Sequence, residues 1–171
     1  HNHDMKQTTE FQKYIQRYVE LIPSENWLES MRISGEKTLE LFRGLSEEKS
    51  NFAYAEGKWT LKELLQHLID AERIFAYRAL TFARKDRTEL PGWDEEEYAK
   101  NYFSNERSLQ SLTDEFDAVR KSSILLFAHL NPEQLSQTGI ANGNEISVET
   151  IGKLIVGHHL HHLNVIRERY L

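Results

Sequence analysis

The stretch TLKELLQHLIDAERIFAYRALTFAR, residues 60–84, carries the clearest fold signal in the chain. Its apolar residues recur every three or four positions, the spacing that places them on one face of an α-helix. Thr60 and Glu63 have the T-x-x-E spacing of a capping box, in which each side chain accepts a hydrogen bond from the other residue's backbone N–H. The stretch therefore predicts a helix that begins at Thr60 and runs to about Arg84.

Three other long segments show the same helical periodicity, and a shorter one precedes them. Ser24 and Ser147 are suitable N-caps, and Pro132 ends the third segment because the residue before a proline resists the helical conformation. Turns are predicted at Gly139 and at Asn142-Gly143, and no segment shows the sustained alternation of a strand. We therefore expect an all-α chain in the form of a four-helix bundle. The predicted helices are residues 24–44, 60–84, about 105–130 and 147–171, after a short helix at about 9–22.

The composition is that of a globular protein with one domain. Of the 171 residues, 39% are hydrophobic and 28% are charged, values that are ordinary for a soluble protein. Residues 1–4 precede Met5 and are interpreted as the remnant of an expression tag. The predicted domain therefore spans residues 5–171.

Charge and hydropathy argue against several kinds of partner. The net charge of −6 leaves no basic face to neutralise phosphates, so we expect no nucleic-acid partner. No apolar run approaches the roughly 20 residues that span a bilayer, so we expect a cytoplasmic protein without a membrane partner. The chain has no cysteine, so a thiol used in its chemistry must arrive with a substrate.

The connection from Lys85 to Ser104 lacks helical periodicity over most of its length. Pro91-Gly92 predicts a turn, and the four acids at residues 94–97 are expected to be solvated. Trp93 and Tyr98, on either side of those acids, could line the mouth of a pocket. The sequence leaves open whether this connection gates a site.

Four histidines lie in the stretch GHHLHHLNVI, residues 157–166. Residues four apart on a helix face the same way, so His158 and His162 form a pair, while His159 and His161 point elsewhere. His158 with His161 is also geometrically allowed. A catalytic zinc-type site needs about three protein ligands, and His67, among the core-facing residues of an earlier helix, is the natural third.

Spacing alone leaves two interpretations of these histidines open. One is a metal site formed by His67, His158 and His162. The other is a surface pair together with a hydrogen-bonded core histidine at position 67. His129, near the end of the third helix, is better explained as a partner of the helix dipole.

Two long motifs resemble those of the DinB-like (YfiT-like) superfamily. They are GKWTLKELLQHLIDAERIFAYRALTFARKD and the terminal GHHLHHLNVIRERYL, with YAEGKW, LPGWDEEEY and ANGNEIS in the expected order. The specific part is W-[ST]-x-x-E-x-x-x-H early in the chain and H-x-x-x-H late. The resemblance covers residues 14–171 and implies an up-and-down bundle that holds a divalent metal, zinc or nickel most often, through His67, His158 and His162. It also implies a bacterial protein that forms a homodimer.

The resemblance implies a metal-dependent enzyme that acts on a small molecule. If the metal activates a low-molecular-weight thiol, the enzyme is a thiol-dependent S-transferase, which is the leading hypothesis. Water gives a metal-dependent hydrolase, the alternative. A non-catalytic, stress-associated module that binds a metal or ligand is the third hypothesis, and a closed site with four protein ligands would favour it.

Three more residues lie on the same helix faces as these histidines. Arg78 and Arg169 each follow a histidine by three turns, about 16 Å along the axis. Each could anchor an anionic thiol cofactor, but we favour arginines that cover apolar surface. Asp70, one turn after His67, could orient an imidazole.

Overall fold

Four long helices form the body of the protein in a computed structural model, which describes residues 5–171. Residues 1–4, which the sequence analysis interpreted as a tag remnant, lie outside the described residues. The helices are α1 (Thr9–Val19), α2 (Trp27–Arg43), α3 (Glu47–Ser50), α4 (Leu61–Ala83), α5 (Glu95–Ala99), α6 (Leu109–Ala128), α7 (Pro132–Ser136) and α8 (Val148–Arg169). The bundle consists of α2, α4, α6 and α8, so the all-α prediction is confirmed.

The helix starts depend on local capping. The capping box of α4 is present: Thr60 Oγ1 accepts from the Glu63 N–H at 3.1 Å, and Glu63 Oε1 accepts from the Thr60 N–H at 2.9 Å. The N-cap predicted for α2 was two residues early, because Asn26 rather than Ser24 caps the helix. Helix α6 begins after its N-cap Ser108, and a short 3-10 helix occupies residues 104–106.

The order of helices around the bundle differs from their order in the chain. Helix α4 packs against α6 and α8, and α2 packs against the same two helices. The neighbour order is therefore α2, α6, α4, α8, with α2 and α4 diagonal to each other. This order places α4 and α8, which carry the predicted ligands, side by side.

A polar layer between two apolar clusters joins all four bundle helices. Arg120 of α6 donates to Glu72 of α4 and to Ser34 Oγ of α2. His159 of α8 lies 3.8 Å from the Glu72 carboxylate. These side chains are all at least 97% buried. Because a buried charge is costly unless it is paired, this layer favours one arrangement of the four helices.

A short β-hairpin joins α7 to α8, and the sequence analysis did not predict it. Strands β1 (Thr138–Ala141) and β2 (Asn144–Ser147) pair antiparallel. The turn at Asn142-Gly143 has φ values of 50° and 78°, the left-handed conformations that a two-residue hairpin turn requires. The turn predicted at Asn142-Gly143 was right, whereas the turn predicted at Gly139 was wrong, because Gly139 lies within β1. Four-residue strands are too short to show alternation above the background.

The connection between α4 and α6 is anchored to this hairpin. The Leu90 N–H donates to Ile140 O, and the Asn142 N–H donates to Leu90 O, both at 2.9 Å. Helix α5 then forms within the connection, capped by Asp94. Among residues 5–171, no helix is long and apolar enough to cross a membrane.

Candidate metal centre

Three histidines from two neighbouring helices converge between α4 and α8. The Nε2 atom of His158 lies 3.2 Å from Nε2 of His67 and 3.1 Å from Nε2 of His162. Each of the three can offer one nitrogen, and these atoms all lie within 4.8 Å of one another. The structure therefore brings together the residues that the sequence analysis selected, although they are 91 positions apart in the chain.

The nitrogen spacing fits a shared metal ion. Nitrogens that each lie about 2.1 Å from one zinc ion are about 3.4 Å apart in a tetrahedral arrangement and about 3.0 Å apart at right angles. Both close Nε2 separations fall between these values. The donor set also suits the metals that imidazole binds well, among them zinc, nickel and copper.

Burial keeps the three imidazoles neutral, as metal ligands must be. Burial lowers the pKa of His67 to about 4, and burial together with His67 and His161 lowers that of His162 to about 3. The pKa of His158 lies well below its usual value, chiefly because of burial and then because of the neighbouring histidines. At neutral pH all three rings therefore have a lone pair available.

Aromatic side chains surround the histidines and limit access of water. Trp59 packs on His67 with ring centroids 4.9 Å apart. The rings of Tyr18 and Phe75 pack against the His158 ring, with centroids 5.9 and 6.0 Å from it. These three residues belong to the site although no spacing in the sequence predicted them there. Trp59 lies in the quoted W-T-x-x-E-x-x-x-H motif, which could have indicated it.

Gly157 lets α1 approach α8 beside the site. A Cβ atom at this position would lie 2.2 Å from the Tyr18 carbonyl oxygen, closer than any real contact. Glycine is therefore required for α1 to pack where Tyr18 meets His158 and His161. The first residue of the stretch at 157–166 thus has a packing role.

Within residues 5–171, the other three histidines lie outside the cluster. His159 is buried against Phe116 and near Glu72, and His161 packs on Tyr18. His129 is exposed at the end of α6, where its Nδ1 lies 2.8 Å from Leu125 O. This position agrees with the interpretation of His129 as a partner of the helix dipole.

Packing, rather than hydrogen bonding to other side chains, orients the imidazole rings of the site. Asp70, the predicted orienting group, accepts from Gln66 Nε2 at 2.9 Å instead of contacting an imidazole. The Nδ1 atom of His162 is buried and has no hydrogen-bond partner among residues 5–171. The hydroxyl of Tyr102, whose ring lies 6.3 Å from that of Trp59, is also buried and unpartnered within the described chain.

Comparison with known proteins gives a matching family model and a similar protein. The family model described as the DinB superfamily matches residues 31–166. A protein of Oceanobacillus iheyensis named "Putative metal-dependent hydrolase" is 27% identical over 146 residues, which are 82% of this chain and 82% of that protein. The family match includes α4 and most of α8, and with them all three histidines.

A solved structure supports the fold. YfiT from Bacillus subtilis, described as "a probable metal-dependent hydrolase with an unusual four-helix bundle topology", superposes with a TM-score of 0.62. The match covers 99% of this chain and 93% of that chain at 16% sequence identity. At this identity the likeness concerns the fold alone.

Proposed function

This chain belongs to the DinB superfamily, and on that premise we propose that it is a metal-dependent enzyme that acts on a small molecule. The convergence of His67, His158 and His162 carries the proposal. When bound, a divalent ion held by three neutral imidazoles acidifies water or a thiol that occupies an open coordination position.

The donor set favours a catalytic site over a structural one. Among residues 5–171, no further histidine, aspartate or glutamate joins the three histidines in the group. Structural zinc sites are closed by four protein ligands, whereas catalytic sites keep a position for water or substrate. Three ligands are therefore the number expected of an enzyme.

Hydrolysis is the first candidate reaction. The name given to the Oceanobacillus protein refers to metal-dependent hydrolysis, and a site with three neutral nitrogen ligands suits the activation of water. Thiol-dependent S-transfer is the second candidate. The absence of cysteine from the whole chain supports it, because the thiol would then come from a co-substrate and bind at the same open position.

Other side chains of this site exclude water and position the ligand. Trp59 and Phe75 pack against two of the imidazoles and shield them from solvent. The Tyr102 hydroxyl, beside Trp59 and free of a protein partner among the described residues, is available to donate a hydrogen bond to a ligand. A donor at such a position can stabilise charge that develops in a transition state.

A comparison of two reactions tests the proposal. Metal-loaded and chelated protein are assayed with ester and amide substrates alone, and with a thiol together with an electrophile. We expect turnover only with metal and only in one of the two assays, which identifies the nucleophile. Equal rates in loaded and chelated protein, or no turnover in either assay, would contradict a metal-dependent enzyme.

We also propose that residues 5–171 form one domain, because α4 and α8 contribute to both apolar clusters of the core.

Zinc or nickel is the proposed ion, and elemental analysis of the purified protein would identify it. Homodimer formation stays a prediction that light scattering checks.

A further inference from the structure

Two arginines are buried among residues 5–171, and only one of these two has a charged partner there. Arg120 is 3% exposed and donates to Glu72, to Ser34 and to the Met31 carbonyl. Arg78 is 9% exposed, yet its one hydrogen bond among residues 5–171 goes to Pro91 O at 2.8 Å. No described carboxylate forms an ion pair with it.

An unpaired guanidinium at this depth is unusual. The group has five N–H donors and stays protonated, and a buried charge without a partner is costly. Arg169, by contrast, is exposed, so its guanidinium stays in water while it lies over the ring of Tyr54 at 5.7 Å. The interpretation of Arg78 as an arginine that only covers apolar surface therefore does not explain its position.

Arg78 lines a cavity of about 270 Å³ between α1, α4 and the hairpin. This volume is near the lower end of the roughly 300–1,000 Å³ of small-molecule sites. Its wall is mainly apolar and includes four aromatic side chains, those of Phe11, Tyr14, Phe75 and Trp93. The Arg78 guanidinium also lies 5.4 Å from the centroid of the Trp93 ring. The cavity thus offers an apolar wall and one available cation.

The cavity lies beside the metal centre. Phe75, which lines the cavity, contacts the His158 ring at 6.0 Å, and Leu154 of the wall precedes His158 by one helical turn. Glu95 also lines this cavity, and it forms no ion pair with Arg78. Phe75 therefore borders both the cavity and the metal centre, and a molecule that fills the cavity would contact Arg78.

We infer that this cavity binds an organic carboxylate with an apolar body, and that Arg78 recognises the carboxylate. A guanidinium matches a carboxylate geometrically and can form two parallel hydrogen bonds with it. As a statement about the substrate, this inference rests on the proposed function. The carboxylate could belong to the main substrate or to a thiol co-substrate, and both have the same chemistry at Arg78.

Binding to chelated protein tests the inference without the metal. The probes are 3-phenylpropionate and its neutral analogue 3-phenylpropanol, and N-acetylcysteine and its neutral amide, with binding measured by calorimetry. We expect at least one acid to bind about tenfold more tightly than its neutral analogue. The acid that does so shows whether the carboxylate comes from a thiol compound.

Substitution of Arg78 is the second part of the binding test. Arg78→Gln should weaken binding of that acid about tenfold and leave the neutral analogue unchanged. Arg84→Gln, at an exposed arginine near the end of the same helix, is the matched control and should have no effect. If Arg78→Gln fails to fold, the Nε resonance of Arg78 in ¹⁵N-labelled wild-type protein should still shift with the acid and not with the neutral analogue.

Three results would overturn the inference: no binding of either acid, equal binding of acids and neutral analogues, or equal affinities in the Arg78→Gln and Arg84→Gln proteins. Acid binding that requires the metal and is insensitive to Arg78→Gln would also overturn it, because the carboxylate would then be a metal ligand. A protein that binds no metal would contradict the proposed function and leave this binding test valid.

Discussion

Arg120 and Glu72 form an ion pair that is almost completely buried at the centre of the bundle. Arg120 Nε lies 3.1 and 3.0 Å from the two carboxylate oxygens of Glu72, and Nη2 donates to Oε1 at 2.7 Å. Both side chains are at most 4% exposed. The pair joins α4 to α6, and the further hydrogen bonds of Arg120 to Met31 O and Ser34 Oγ join α6 to α2.

Glu72→Ala should lower the free energy of unfolding by about 3–5 kcal/mol, because it leaves the Arg120 charge buried without a partner. Urea unfolding followed by circular dichroism measures the change. The control is Glu115→Ala, which removes a more exposed carboxylate that pairs with Arg73 and Arg107 and should cost about 0–1 kcal/mol. Equal losses in the two variants would contradict the special role of the buried pair.

Gly157→Ala should destabilise the protein although alanine is the better helix former. The helix preference favours alanine by about 1 kcal/mol, but the new Cβ would meet the backbone of Tyr18, and such overpacking costs about 1–3 kcal/mol. Hydrogen exchange should increase most in α1. The control is Gly44→Ala, where a Cβ meets only atoms at 3.4 Å or more, and it should change neither the stability nor the hydrogen exchange of α1. A Gly157→Ala protein as stable as wild type would be inconsistent with the close packing of α1 on α8.

His67→Ala and His162→Ala should each release bound metal, because each removes one of three proposed ligands. Metal content is measured by elemental analysis on protein without residues 1–4, since His1 and His3 could bind metal themselves. The helical circular dichroism signal should be largely unchanged. His129→Ala, which alters an exposed histidine, should retain metal, and full metal content in the His67→Ala protein would disprove the site.

Tyr102→Phe should reduce turnover without reducing stability. The hydroxyl is buried and unpartnered in the described chain, so its loss should leave the free energy of unfolding unchanged or raise it by about 1 kcal/mol. If it donates to the ligand, the rate should fall about tenfold while metal content stays constant. Tyr98→Phe, at an exposed tyrosine on α5, is the control. A clear loss of stability in Tyr102→Phe would indicate a structural hydroxyl instead.

Much of the secondary structure could be predicted because its signals are local. The capping box of Thr60 and Glu63 depends on residues three apart, and the α4 boundaries agree with the prediction within one residue. Predictions were weaker where competing signals lay close together. Asn26 caps α2 although Ser24 is an equally good cap by type, and the hairpin strands are too short for a periodic pattern.

The candidate site was predictable in part. The i,i+4 spacing of His158 and His162 fixes a shared helix face, and His67 was selected as the only other native histidine in a core-facing stretch. The aromatic enclosure by Tyr18, Trp59 and Phe75 could not be read from spacing, because it depends on how α1, α4 and α8 pack. The role expected for Asp70 was wrong for the same reason, since Gln66 lies within reach of its carboxylate.

The sequence by itself determined four amphipathic helices, the start of α4 and the pairing of His158 with His162, because each of these follows from residues a few positions apart. Only the tertiary structure decided that α4 lies beside α8 and diagonal to α2, which brings His67 to 3.2 Å from His158. It also decided that Arg120 is paired with Glu72 while Arg78 faces a cavity. The reason is physical: neighbours across a bundle are chosen by the packing and charge pairing of whole helix faces, which no local spacing encodes.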